Sequence, residues 1–379
     1  MSTGRPPVLD VDALLDDPAT RIVVCCGSGG VGKTTTAAAL ALRAAERGRH
    51  TVVITVDPAR RLAQSLGLTE LDNTPRPVAG VADGGGSLHA MMLDMKRTFD
   101  ETVVANADPE RAAQILDNPF YQSLSSSFSG TQEYMAMEKL GQLRRSEEWD
   151  LIVVDTPPSR SALDFLDAPK RLGRFLDGRL VRFLGAPARN GAFRLLGAGV
   201  GLVTGVITKI LGTQLLRDVQ SFVGMFDAVF GGFQERADQT YRVLQAEGTA
   251  FVVVAVPEHD ALREASYFVD RLRAERMPLA GLVLNRTQRV LAPELSAERG
   301  AAAAEALEAS GEHPLAAAAL RLHAERVRLR DRERRLWERF TAAHPEVGVV
   351  EVPALAEDVH DLDALREIGR VLGDPGPVS

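Results

Sequence analysis

The sequence predicts an α/β fold, a doubly wound and mostly parallel sheet with an inserted helical subdomain. Three observations predict it. Short continuous runs of Val, Ile and Leu recur along the 379 residues, each followed by a stretch of helical character. Continuous rather than alternating apolar runs are the mark of strands covered on both faces, and their alternation with helices threads parallel strands through helical crossovers. A glycine-rich turn joins the first such run to the first helix, at the edge where open α/β sheets hold their ligands.

In chain order, residues 1–20 form an N-terminal extension. The predicted strands are Arg21–Cys26, Thr51–Val56, Leu88–Leu93, Leu151–Val154, Phe251–Val256, Leu279–Leu284 and Val347–Val352. The first helix runs from Lys33 to Arg47 and stops at Gly48, a residue suited to a helix C-terminus. Two stretches break the rhythm. Asp94–Glu148 reads as helices with a Ser-rich turn at Ser123–Ser129, and Lys170–Glu247 as several more, broken at Gly and Pro. The second is rich in apolar side chains such as Phe175, Leu184, Val203, Ile210 and Leu216. The simpler account is a subdomain burying its own core; the functional one is an apolar groove or partner face. Ala297–Ala343 is helical, divided at Pro314, and its mixed charge run Arg326–Arg339 reads as a solvated face. The expected organisation is a core of residues 21–169 and 248–372, partly helical over 94–148, with a helical insertion at 170–247 and a disordered tail at 373–379.

Composition excludes several classes. Hydrophobic residues make up 45% and charged residues 25%, which suits a globular chain with an ordinary core. The net charge of -7 argues against a nucleic-acid binder. The two cysteines, Cys25 and Cys26, are adjacent in a strand and point to opposite faces, so they form neither a disulfide framework nor a zinc site. A reducing cytoplasm is the expected setting. Met1–Thr20 has four acidic residues and no apolar segment, unlike a signal peptide. The uncharged run Leu195–Thr208 is shorter than the roughly 20 residues that span a bilayer.

The turn after the first strand, Gly27-Ser28-Gly29-Gly30-Val31-Gly32-Lys33-Thr34-Thr35, fits the phosphate-binding P-loop pattern in full and lies between strand and helix, as that pattern requires. Its glycines let backbone amides curl around phosphates, and the helix N-terminus adds partial positive charge. Lys33 supplies a point charge to the β- and γ-phosphates, and Thr34 offers a hydroxyl to Mg²⁺. Only five of the 44 basic residues are Lys, yet this position is one of them; an Arg fork would not enter the loop in the same way.

Hydrolysis also needs carboxylates at the sheet's C-terminal edge. Asp57 follows the second strand and precedes Pro58; Asp155 follows Leu151–Val154 and precedes Thr156-Pro157-Pro158. Asp155 has the position of a carboxylate holding the Mg²⁺ shell, through water, and Asp57 that of a group orienting the attacking water, with an indirect part in the metal shell. The plainer reading of each is a turn residue capping the next helix. Asn285 ends the strand Leu279–Leu284, where an amide can read adenine, and Pro353 after the last strand can line the base; a turn-forming Asn is the alternative.

Together, Gly27–Thr35, Asp57-Pro58-Ala59, Asp155-Thr156-Pro157-Pro158-Ser159, Asn285 and Val352-Pro353 resemble the arsenite-pump and tail-anchored-protein-targeting ATPases, a deviant Walker-A branch of the P-loop NTPases. The resemblance spans roughly residues 20–370. It implies ATP and Mg²⁺ as cofactors, and a dimer that closes and opens with the ATP cycle. It also implies a client-binding subdomain at Lys170–Glu247. The sequence departs from that pattern at three points. The family's loop carries an extra lysine that reaches into the partner's site; here that position is Ser28. The charge is then absent, supplied by Arg60 or Arg160, or carried by a lysine-bearing paralogue in a heterodimer. Arg160-Ser161 stands where Gly-His is usual, and the cysteine pair that clamps zinc between subunits is missing, so no zinc is expected.

These features favour an ATP-hydrolysing switch in the cytoplasm, or peripheral to a membrane through a client, that couples dimer closure to a hydrophobic client or a partner. Arsenite export is disfavoured because a soft As(III) centre needs converging thiolates. The alternative is a non-hydrolysing or weakly hydrolysing scaffold of the partitioning type, against which stand the acidic charge and the lack of a basic C-terminal amphipathic helix. An iron–sulfur reductase would need cluster cysteines that the chain lacks.

Overall fold

Ile22–Cys26 (β1) is the central strand of an eight-stranded sheet, paired in parallel with Leu151–Asp155 (β5) on one side and Thr249–Ala255 (β6) on the other. The computed structural model describes residues 7–57, 61–82, 84–119, 121–122, 125, 132–156, 233–311 and 313–374. Outside them lie Pro58–Arg60, Pro157–Ser161, most of Ser123–Ser129, the part of the apolar stretch from Lys170 to residue 232, and the tail from residue 375.

The remaining strands are His50–Thr55 (β2), Arg76–Pro77 (β3), Ser87–Met92 (β4), Leu279–Thr287 (β7) and Val349–Pro353 (β8), in the order β3-β4-β2-β5-β1-β6-β7-β8. Every pairing is parallel except β3 with β4. The expected α/β fold with a mostly parallel sheet is therefore present. The apolar runs explain it. Alternate residues Val23, Cys25, Val53, Val153, Val252 and Val350 are buried in one core cluster. The intervening Ile22, Val24, Val52, Ile54, Ile152 and Val253 are buried as well, on the opposite face.

The first of those faces is covered by Lys33–Glu46 (α2) and Leu362–Gly373 (α11), whose Ala37–Leu42 and Leu365, Ile368 and Leu372 join the same cluster. Alanines let α2 lie close to the strands, which is how a core so poor in aromatics is filled. The apolar face of α11 is spent on this contact. Val11–Asp16 (α1) is tied to α2 by the bidentate pair Arg43–Asp12, at 2.6 and 2.7 Å. Residues before β1 reach the sheet's far edge, where Val8 bridges Val349. Arg61–Ser65 (α3) follows β2, and Phe233–Gln245 (α7) precedes β6. His259–Ala274 (α8) buries Leu262, Ala265, Phe268 and Leu272. Ala297–Ser310 (α9) and Pro314–Ala343 (α10) pack as a hairpin, with Pro314 opening the second helix as expected.

The chain divides into two compact units, one of Met1–Met92, Ser146–Ala162 and Val243–Ser379, the other of Leu93–Arg145 and Leu163–Arg242. The first holds the sheet. The second contains Met95–Asn106 (α4), Pro109–Leu116 (α5) and Gln132–Arg145 (α6). Asp94 and Asp108 cap α4 and α5 by accepting the amides of Arg97 and Arg111. Inside this unit the almost fully buried Glu138 accepts from Arg236 at 3.3 Å.

Two expectations are corrected. The strand predicted as Leu279–Leu284 continues to Thr287, so Asn285 lies within it and not beyond it, because β8 keeps pairing with β7 through Asn285↔Val352 and Thr287↔Pro353. The short antiparallel β3 was not anticipated; two exposed residues carry no periodicity to read.

Cys25 and Cys26 are 0% and 2% exposed in the central strand. Burial pushes the Cys25 thiol well up and that of Cys26 up to about 12. Neither thiol should react with an aromatic disulfide reagent in the native protein, while both react on denaturation. Rapid labelling of the native chain would show that β1 is not held as described.

Candidate functional site

The loop between β1 and α2 is held by close packing. A side chain on Gly27, whose φ is 152°, would come within 2.1 Å of the Val254 carbonyl oxygen. On Gly32, at φ 94°, it would meet the Asn285 amide nitrogen at 2.2 Å. Only glycine suits either place. Gly32 is also the N-cap of α2 and no side chain caps that end, so the first-turn amides stay open to an anion.

Lys33 is 6% exposed and its Nζ donates to the Ser28 carbonyl at 2.8 Å. Burial lowers its pKa; the charges of Asp155 and Asp57 oppose that shift. Thr34, next in the helix, donates its hydroxyl to Asp155 Oδ2 at 2.8 Å, and Thr55 at the end of β2 donates to the same oxygen at 2.8 Å. Asp155 is fully buried, and its Oδ1 accepts no hydrogen bond among the described residues. Thr55 Oγ1 in turn accepts the Asp57 amide at 3.2 Å. Thr156 donates its hydroxyl to the Cys25 carbonyl at 2.8 Å, which fixes the chain leaving β5 against β1.

On the other side of the loop the Asn285 amide donates to the Val31 carbonyl at 2.8 Å, while its Oδ1 accepts the backbone amide of Arg286 at 3.0 Å. Arg286 donates to the Gly30 carbonyl at 3.1 Å. An open cleft of about 600 Å³ runs over this surface. Of the sequence-predicted residues, Gly30, Gly32, Lys33, Thr34, Thr35, Asp57, Asn285 and Pro353 line it. Gly27, Ser28, Gly29 and Val31 complete the loop without forming its wall, and Asp155 lies behind Thr34.

Sequence reasoning missed several contributors. Thr55 stands in register with Asp155 across the β2–β5 pair, a neighbour relation that no local pattern reveals. Arg286 and the segment after β8, with Leu355, Asp358 and His360, also line the cleft. A polar segment following a parallel strand at the ligand edge was the available signal for the latter.

The donor set suits Mg²⁺ bound together with phosphate. Among the described residues no three His, Cys, Asp or Glu side chains converge on a point. A hard cation would therefore rest on the Thr34 hydroxyl, phosphate oxygens and waters, and Asp155 Oδ1, which has no partner among the described residues, suits a metal-bound water.

A sequence profile described as "Anion-transporting ATPase" matches residues 20–306, a span that includes the loop, Asp57, Asp155 and Asn285 and ends before Pro353. Among curated relatives, the ATPase GET3 of Malassezia globosa is 26% identical over 286 residues, covering 75% of this chain and 77% of that protein. ATPase GET3 of Phaeosphaeria nodorum is 25% identical over 279 residues, 72% of this chain and 78% of the relative. That of Podospora anserina is 23% identical over 367 residues, 96% and 94% of the two chains.

Burial pushes the Asp155 carboxyl up from 3.8 to about 6, against the pull of Thr34, Thr55 and Lys33. Folding thus favours the protonated acid: its contribution to stability is full below about pH 3.8 and is lost as pH rises through about 6. Without nucleotide, the thermal midpoint of the wild type should fall relative to Asp155→Asn between those values. A difference between the two melting curves that does not change with pH would overturn this placement of the charge.

Proposed function

The chain belongs to the anion-transporting ATPase family, and from that premise we propose that it binds ATP with Mg²⁺ and hydrolyses it to ADP and phosphate. One observation carries the reading: a buried carboxylate, Asp155, bonded through Oδ2 to Thr34 and Thr55 and, among the described residues, without a partner at Oδ1, directly behind a phosphate loop. Burial of an acid with one oxygen left unbonded is costly unless a cation shell completes it.

The roles follow from position. Lys33 leaves the Ser28 carbonyl to meet the β- and γ-phosphates, the strongest acceptors near it. The amides of Gly30, Val31 and Gly32 and the first turn of α2 surround the phosphate chain. The Thr34 hydroxyl bonds the cation, and Asp155 accepts from Thr34 and from water in the cation's shell. Mg²⁺ itself neutralises charge on the phosphate oxygens. Asp57, on the cleft wall and anchored through Thr55, orients the attacking water. Asn285 and Pro353 flank the adenine.

The switch works as a dimer that closes on ATP, either of two identical chains or with a lysine-bearing paralogue. The apolar segment between residues 170 and 247 engages the client, and a hydrophobic or membrane-protein client fits its composition. Among the described residues no helix is long and apolar enough to cross a membrane; the proposal places the protein in the cytoplasm, meeting membranes through its client. Ser28 favours a second reading, in which the chain alone hydrolyses ATP weakly or not at all and acts as a nucleotide-dependent scaffold.

Lys33→Ala should weaken ATP binding by more than about tenfold, as expected for loss of a charge-assisted contact. Asp57→Asn should keep ATP binding and lower turnover about a hundredfold. Calorimetry and phosphate release check both, and unchanged turnover in Asp57→Asn removes that residue from the mechanism. Ser28→Lys separates the two readings of the dimer. A rise of at least about tenfold in the ATPase rate of the chain alone, modest for a charge delivered to phosphoryl transfer, would show that a cross-subunit lysine is what it lacks. No rise would place the charge elsewhere.

A further inference from the structure

Strand β7 departs from regular pairing at one residue. Asn285 faces Val352 and Thr287 faces Pro353, which leaves Arg286 as the extra residue of a bulge. Its φ is 59°, in the left-handed region. Four described non-glycine residues take such a φ, and of these Arg286 is the one that lines the cleft, where backbone strain of this kind tends to be functional. The bulge re-aims the side chain: the guanidinium turns over the phosphate loop and donates to Gly30, beside the bond from Asn285 to Val31. Arg286 is exposed, lines the cleft with Pro353 and Leu355, and forms no ion pair among the described residues.

The sheet order decides which part of a ligand it meets. Asp155 and Thr34 mark the cation end, on β5 and the start of α2. Arg286 lies on the other side of β1, beyond β6, at the end of β7 next to β8. A charge there lies across β1 and β6 from the carboxylate of the cation site on β5. With the phosphates of a nucleotide toward Thr34 and Asp155, its nucleoside end would fall on this β7 side of the loop. A guanidinium pinned at its head by a carbonyl presents a flat face and an apolar stem, both of which pack on a purine ring.

We propose that Arg286 is a nucleotide-contacting residue that walls one face of the purine–ribose subsite, held in place by the bulge and by the Gly30 carbonyl. This rests on reading the cleft as a nucleotide site. The competing account is that Arg286 only clips the loop. Arg286→Gly tests the two, because glycine accepts φ 59° without strain and the fold is spared. Calorimetry with Mg²⁺ and either ADP or inorganic tripolyphosphate reads base and phosphate binding apart. The expected result is an ADP affinity lowered about tenfold, an unchanged tripolyphosphate affinity and an unchanged or higher thermal midpoint. Equal losses for both ligands would mean a loop clip, and an unchanged ADP affinity would mean no contact; either overturns the proposal while leaving the cleft a nucleotide site. If the wild type bound neither ADP nor ATP, the reading of the cleft itself would fall.

Discussion

One buried carboxylate organises this site. Asp155 sits with no exposed surface at the end of β5, where desolvation alone would expel its charge. It is kept by hydroxyls from two other elements, Thr34 on α2 and Thr55 on β2. Those bonds make a continuous run from the helix that follows the glycine-rich loop, through the carboxylate, to the β2 end, where Thr55 accepts the amide of Asp57. The residue that would feel a cation and the residue that would orient water are thus tied through one oxygen atom. A change in the shell around Asp155 reaches Asp57 through two hydrogen bonds, without rearrangement of the sheet.

The loop is fixed with equal economy on its other side. Gly27 packs on the Val254 carbonyl, Gly32 on the Asn285 amide, and the carbonyls of Gly30 and Val31 are taken by Arg286 and Asn285. With these carbonyls engaged by protein donors, the loop amides are the backbone groups left to meet an anion. A loop whose acceptors are already spent on protein donors needs little backbone rearrangement to take an anion; among these contacts only the Lys33 bond to the Ser28 carbonyl has to be given up.

Much of this was legible in the sequence, for identifiable reasons. The Val- and Ile-rich runs gave the strands because both faces of the sheet are covered, and Gly27–Thr35 gave the loop because its spacing is tied to backbone geometry. Asp155 was found because a carboxylate ending an apolar run has few other reasons to be there. Thr55 was not, since its partner is set by strand register a hundred residues away. Arg286 was not, since a bulge depends on what β8 offers opposite it and leaves no trace in local pattern. Asn285 was placed past the strand for the same reason: pairing with β8, not composition, decides where β7 ends.

The family's description by anion transport can be weighed against the chemistry of this chain's thiols. A soft metalloid is captured by thiolates that converge from separate elements. The only two thiols in the chain are neighbours in the central strand, facing opposite sides of the sheet, with burial raising both pKa values far above neutrality. To present either one, β1 would have to leave β5 and β6, and the phosphate loop at its end would go with it. Thiol capture and nucleotide binding therefore exclude each other in this fold, and a client of the proposed ATP cycle would have to be met by residues outside β1.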